Sequence, residues 1–130
     1  MRILRFDGEV SRTITDFGSV GMTLAPIAQS AGESHIVCIR LEPGGFIGHH
    51  ETAGPQLFLV TQGEGWVQGG ATPGNPSQTE EREAIGAGWA ALWEAGEGHA
   101  AGTATGLTAI VIEGPDVSLI APTRPASGPQ

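Results

Sequence analysis

The sequence predicts an all-β protein of one domain, built as a barrel or sandwich of short strands. Its 130 residues are enough for one domain with a core and too few for two domains of ordinary size. Gly contributes 21 residues and Pro contributes 9, and short apolar runs recur between them. This composition is typical of many strands joined by tight turns, and it does not favour long helices.

Seven runs bounded by Gly, Pro or polar turns are predicted as strands, and β-branched residues are densest in the third and the last of them. They are residues 2–6, 22–27, 35–41, 56–61, 66–68, 89–93 and 107–112. Residues 69–83 are polar and rich in turn formers, so they predict a long hairpin connection. We expect one barrel over residues 1–120. Residues 121–130 carry three prolines and no core pattern, which predicts an extended or disordered tail.

Charge and cysteine content exclude several classes of function. The formal net charge is −8, and all six basic residues are Arg, so no basic stripe is available for a phosphate backbone. We therefore expect neither nucleic acid nor an anionic membrane as a partner. The single cysteine, Cys38, cannot form an internal disulfide, and residues 1–7 lack the long apolar stretch of a signal peptide. A cytoplasmic location is the expectation.

Histidine is concentrated in two Gly-rich clusters, and the first of them spans residues 43–63. Within it Gly44, His50, Thr52, Gln56 and Gly63 stand at spacings that resemble the first motif of the cupin family. In that motif a Pro-Gly turn is followed by His, a second His, Glu and Gly. Thr52 therefore occupies the place of the second His, and Gln56 occupies the place of the Glu.

The second cluster, residues 88–99, resembles the second cupin motif, in which a strand ends in a Pro-x-Gly turn and a His follows. Gly96 and His99 match that pattern, whereas Glu94 stands where Pro is usual and Thr103 replaces the usual Asn. The chain thus resembles a small single-domain bacterial cupin. This resemblance implies a double-stranded β-helix, also called a jelly-roll barrel, over roughly residues 35–113.

The resemblance also implies a divalent metal site with an incomplete set of ligands. Cupins bind metal through two His and one Glu of the first motif and one His of the second. In this sequence the residues at those positions that could ligate a metal are His50, Gln56 and His99. A neutral amide oxygen is a weaker ligand than a carboxylate, so we expect weak affinity. Zinc, nickel, iron, manganese and copper all fit a site containing two imidazoles, and the identity of the ion is left open.

Two further residues could complete the site. Alternation along a strand puts His50 and Thr52 on one face and His49 on the other, so His49 becomes a ligand only if a bulge or turn reorients it. Glu97 lies two residues before His99, and in an extended segment both side chains would enter one pocket. Glu97 is then a ligand or a general base. The alternative is a solvated glutamate in a Gly-flanked turn.

The strand at residues 56–61 supplies the predicted pocket wall. Phe58 and Val60 share the face of Gln56, whereas Leu57 and Leu59 point to the opposite side. Because both faces are apolar, the strand is expected to be buried on two sides, which is consistent with a homodimer.

Two classes of function remain open from the sequence. The first is a metal-dependent small-molecule enzyme of unknown reaction, in which His50, Gln56 and His99 hold the ion and Glu97 acts as ligand or general base. The second is a metal-free cupin that binds or senses a small ligand without catalysis. Glu113 ends the last strand, where it lies either in the barrel mouth or on the surface.

Overall fold

The computed structural model describes residues 8–29, 32–71 and 82–119, and it confirms the all-β prediction. Two single-turn 3-10 helices, Gly8–Val10 and Asp16–Gly18, accompany the strands. The strands are β1 (Arg12–Ile14), β2 (Val20–Gln29), β3 (His35–Glu51), β4 (Gln56–Ala71), β5 (Arg82–Gly86), β6 (Ala90–Trp93), β7 (Gly98–Gly102) and β8 (Leu107–Glu113). Among the described residues, no helix is long and apolar enough to cross a lipid bilayer.

Two long strands, β3 and β4, close the barrel because each takes part in two sheets. The first half of β3 pairs with β2 and β8, and its second half pairs with β7. The first half of β4 pairs with β6 and β8, and its second half pairs with β5 and β7. One sheet therefore runs β1-β2-β3-β8-β4-β6, and the sheet that faces it runs β3-β7-β4-β5.

The core fills the space between these sheets with side chains that alternate inward along the strands. Its buried members are Met22, Ile39, Leu41, Ile47, Phe58, Val60, Val67, Ile85, Trp93, Ala101, Leu107, Ala109 and Val111. In β8 the alternation is regular, because residues 107, 109 and 111 are buried and the residues between them are half-buried. Full burial of one such large side chain contributes roughly 1.5–3 kcal/mol.

Most of the predicted strands lie inside observed ones, and the sequence underestimated their length. Residues 56–61 and 66–68 belong to one strand, and residues 35–41 form only the first part of β3. The predicted connection at residues 69–83 is shorter, since its first three residues extend β4 and its last two begin β5. Residues 2–6, 72–81 and 121–130 lie outside the described residues, so the N-terminal strand and the tail stay predictions.

Candidate functional site

A cavity of about 390 Å³ lies inside the barrel, and most of its wall is apolar. The apolar lining comes from Ile14, Phe17, Met22, Leu24, Val37, Ile39, Ile47, Ala53, Phe58, Trp93, Ala101 and Val111. Five polar residues named in the sequence analysis line the same cavity, namely His50, Thr52, Gln56, His99 and Glu113. Such a combination of an apolar wall and a few polar groups is typical of small-molecule sites.

His50 and His99 face each other across paired strands. They are register partners between β3 and β7, and their ring centroids are 4.4 Å apart. Nδ1 of His50 is 2.8 Å from the Gly48 carbonyl oxygen, and Nδ1 of His99 is 3.1 Å from the Glu97 carbonyl oxygen. A carbonyl oxygen only accepts hydrogen bonds, so each Nδ1 carries a proton and donates it. In a neutral ring, Nε2 is then an unprotonated acceptor.

His99 is the more deeply buried member of this pair. Its side chain is 2% exposed, and its Nε2 has no hydrogen-bond partner within the part of the chain that the structure describes. Desolvation by this burial lowers the pKa of His99 to about 4, which outweighs the opposing effect of its bond to the Glu97 carbonyl. His99 is therefore neutral at pH 7, and its Nε2 is a buried acceptor on a residue that lines the cavity.

A β-bulge orients His50. The pairing of β3 with β7 shifts register between Ile47 and His50, so both of these side chains line the cavity although they are three residues apart. Strict alternation would have placed Ile47 on the opposite face. His49, between them, is exposed and is not among the residues that line the cavity.

Phe17, which the sequence analysis did not single out, covers His50. The two rings stack with centroids 4.1 Å apart and an interplanar angle of 4°. The Phe17 backbone has a φ of 62°, a left-handed conformation that is unusual for a bulky residue. It crosses directly over Gly48, where an added Cβ would overlap the Phe17 carbonyl. The sequence around Phe17 carries no motif that could have identified this contact.

Trp93 flanks the other imidazole. Its ring stacks on His99 with centroids 4.2 Å apart and an interplanar angle of 16°. Phe58 packs against Trp93 at 5.6 Å. The histidine pair is therefore held between aromatic rings on both sides, which restricts the rotation of either imidazole.

Glu113 supplies a carboxylate to the cavity. It is the register partner of Gln56 across β4 and β8, so the acid stands on the strand beside the residue that replaces the usual Glu. The Thr52 hydroxyl, which is buried, donates to Glu113 Oε1 at 2.6 Å, and Gln56 Nε2 donates to Oε2 at 3.4 Å. Of the two positions considered for Glu113, the structure places it in the cavity wall.

The structure does not bring Glu97 into this cavity. Its Oε1 accepts from the backbone NH of Glu94 at 2.9 Å, and its Oε2 accepts from the backbone NH of Gly70. Glu97 precedes β7 and follows a turn in which Gly96 has a φ of 78°, so strand alternation does not relate it to His99. It links this turn to β4. Val60, predicted for the pocket wall, is buried in the core and does not line the cavity.

The donor set near the two imidazoles is small. No three side chains of His, Cys, Asp or Glu come together as a metal cluster among the described residues. Catalytic zinc sites usually have three protein ligands. The residues present therefore fit a weakly held ion, for which the Nε2 atoms of His50 and His99 would be the ligands, and they do not fit a tight metal centre.

Comparisons with known proteins establish the fold. No protein-family model and no curated protein matches the chain. A predicted oxalate decarboxylase from Thermotoga maritima is 19% identical with a TM-score of 0.70, over 85% of this chain and 96% of that chain. A cupin-like protein from Thermotoga maritima is also 19% identical, with a TM-score of 0.68 over 89% and 83% of the chains. The polyketide cyclase RemF from Streptomyces resistomycificus is 16% identical, with a TM-score of 0.70 over 89% and 80%. These identities support the fold alone, and the predicted cupin barrel is confirmed.

Proposed function

We propose that this chain is a small single-domain cupin that binds a small organic molecule in its barrel, without catalysis. The observation that carries the proposal is the buried Nε2 of His99, which lacks a hydrogen-bond partner among the described residues and belongs to a residue that lines a cavity of about 390 Å³. A buried acceptor left unsatisfied costs roughly 1–3 kcal/mol. A ligand that donates a hydrogen bond to this atom recovers part of that cost.

The chemistry of His99 favours binding over proton transfer. An effective general base has a pKa near the working pH, whereas the pKa of His99 is lowered to about 4 by burial. At neutral pH this imidazole is a weak base. It accepts a hydrogen bond, and the apolar wall provides the area that holds the body of the ligand.

A divalent metal ion is the second candidate occupant. It is favoured by the two Nδ1–H groups that donate to backbone carbonyls, because this arrangement orients imidazoles that ligate metal through Nε2. His50 and His99 would hold the ion, with Gln56 as a weak third ligand. A bound ion would supply a Lewis acid or an oxygen-activating centre to the small molecule beside it.

A thermal-shift screen in the presence of EDTA tests the first candidate. We expect at least one small organic compound to raise the melting temperature of the metal-free protein, with about 2.7 kcal/mol of stabilisation at 100 times its Kd. Ala101→Leu, which puts bulk into the cavity wall, should abolish that shift. Ala104→Leu, at an exposed position, is the matched control and should retain it. Absence of any stabilising compound, or an equal shift in the Ala101 variant, would refute the proposal.

Elemental analysis and calorimetry test the second candidate, using protein purified without an affinity tag. Zinc, nickel, iron(II), manganese and copper(II) are titrated separately into wild type and His99→Ala. Binding in wild type and loss in the variant would support the metal site. A Kd above about 1 mM for every ion, which corresponds to a binding free energy weaker than about −4 kcal/mol, would rule out the metal site.

We propose further that the protein is a cytoplasmic homodimer. The outer face of one sheet carries half-buried aliphatic side chains in register, with Leu57 beside Ile112 and Leu59 beside Ile110. A second copy would cover this apolar surface. Sedimentation velocity should give a dimer for wild type and a monomer for Leu59→Arg, and a monomeric wild type would contradict the proposal. The buried free thiol of Cys38 is compatible with a reducing compartment.

A further inference from the structure

We infer that the ligand of this barrel is a neutral aromatic alcohol, a compact molecule of the phenol class that donates its hydroxyl to His99, and that carboxylates are excluded. The inference rests on the proposed function, because it names the chemical class that the same cavity takes. Three features of the lining support it: the hydrogen-bonding character of its deepest polar atoms, the sign of its charges and the composition of its wall.

The first feature is that the buried polar groups around the histidine pair present acceptors, whereas the Arg12 guanidinium, a donor, lines the cavity from an exposed position. The Nδ1–H of His99 is already bonded to a carbonyl, as is that of His50, and the neutral ring of His99 leaves its Nε2 as an acceptor. The carboxylate of Glu113 is acceptor-only when ionised, and the Thr52 hydroxyl donates to it. A ligand that bonds to His99 Nε2 must therefore bring the donor itself. A hydroxyl does so, whereas an ionised carboxylate has acceptors alone.

The second feature is the negative charge of the lining. Three carboxylates line the cavity, from Asp16, Glu51 and Glu113, against one guanidinium, from Arg12. The whole chain carries a formal net charge of −8. An anion that enters this cavity is repelled by the lining and loses its hydration, so the free energy of binding an anion is less favourable than that of a neutral molecule of the same shape.

The third feature is the wall. Phe17, Phe58 and Trp93 bring aromatic rings to the cavity, and aliphatic side chains form most of the remainder. Aromatic rings favour offset or edge-to-face contact with another ring. A volume of about 390 Å³ is near the lower end of ligand pockets, which range over roughly 300–1,000 Å³. The cavity thus fits a molecule of one or two fused rings.

Three probes of nearly equal shape test the inference: 2-naphthol, which donates; 2-methylnaphthalene, which is neutral without a donor; and 2-naphthoate, which is anionic. Binding is measured by calorimetry and by quenching of tryptophan fluorescence, in EDTA throughout. We expect 2-naphthol to bind wild type at least about tenfold more tightly than either other probe, since one buried hydrogen bond has this magnitude and neither other probe can donate one to His99.

A matched variant connects the preference to one atom. His99→Phe retains a ring of similar shape and removes Nε2. It should weaken 2-naphthol at least about tenfold while 2-methylnaphthalene binds as in wild type, which also verifies that the variant is folded. His49→Phe changes an exposed histidine outside the cavity wall and should leave all three affinities unchanged. In wild type, the Nε2 nitrogen resonance of His99 should shift with 2-naphthol and not with 2-methylnaphthalene.

The outcomes separate the two proposals. If 2-naphthoate or 2-methylnaphthalene binds wild type as tightly as 2-naphthol, the phenol class is wrong while the binding function stands. The phenol class also fails if His99→Phe binds 2-naphthol like wild type. If none of the probes binds and the thermal-shift screen yields no compound, the proposed function and this inference are both overturned. If no probe binds and another compound class does, only this inference fails.

Discussion

Lowering the pH from 7 to 5 should destabilise the wild-type protein through His99 alone by about 2 kcal/mol. Burial lowers the pKa of this imidazole to about 4, whereas an unfolded chain has histidine near 6.5. The unfolded state therefore takes up a proton more readily than the folded state. Stability due to the neutral imidazole is complete above about pH 6.5 and is lost progressively as the pH falls toward about 4.

The magnitude follows from the difference between the two pKa values. About 2.5 pKa units correspond to roughly 3.4 kcal/mol for the complete transition, at 1.36 kcal/mol per unit. Between pH 7 and pH 5 the unfolded histidine passes through its midpoint and the folded histidine remains almost entirely neutral. This interval therefore includes roughly 2 kcal/mol of the total.

Urea denaturation at pH 7, 6 and 5 measures this term by comparing wild type with His99→Phe. The other titratable groups, including His50, His49 and Glu113, which influence His99, are present in both proteins. The difference between the two proteins in how unfolding free energy changes with pH therefore isolates the contribution of His99. His49→Gln, at an exposed position, should follow wild type. Equal losses of unfolding free energy in wild type and His99→Phe would refute the reasoning, because they would show that the imidazole is not desolvated.

Three more predictions concern the residues around this pair. Gly48→Ala should lower the free energy of unfolding by more than about 3 kcal/mol, because the added Cβ would overlap the Phe17 backbone. Gly86→Ala is the control, since its Cβ would have no contact closer than 3.7 Å, and it should cost under about 1 kcal/mol. Urea denaturation measures both. Thr52→Val removes a hydrogen bond to the Glu113 carboxylate and should lower the free energy of unfolding by about 1.5–3 kcal/mol. Thr61→Val removes an exposed hydrogen bond and should cost less than about 1 kcal/mol. Equal losses in the two variants would contradict the prediction. Gln56→Glu should tighten zinc binding at least about tenfold in calorimetry by adding a charged ligand, and unchanged affinity would argue against a metal at this position.

The fold and the histidine pair were predictable because their signals are local. Short apolar runs between glycines predicted the strands, and the resemblance of each cluster to a cupin motif implied that His50 and His99 point inward. Both residues line the cavity and are register partners. The strand lengths were less accessible, since β4 continues through Gly63 and Gly65, which read as turn residues in sequence.

The sequence left open whether the Glu113 carboxylate enters the cavity, because its position depends on long-range pairing. Glu97 was one of two open alternatives because it is near His99 in sequence, yet the turn before β7 directs it to the backbone of Gly70. Glu113 is placed by the pairing of β8 with β4, which brings it opposite Gln56 across a separation of 57 residues. Phe17 was missed for a similar reason: its contact with His50 joins a three-residue turn to a distant strand.

The identity of residue 56 connects the two candidate occupants of the barrel. Both oxygens of Glu113 accept hydrogen bonds from neutral donors, the Thr52 hydroxyl and the Gln56 amide, so the carboxylate is satisfied without a cation. A glutamate at position 56 would remove one donor and place two carboxylates on paired residues. The two negative charges would repel each other unless a divalent ion lay between them. Gln56 therefore favours a barrel in which the imidazole acceptors are left for a neutral donor.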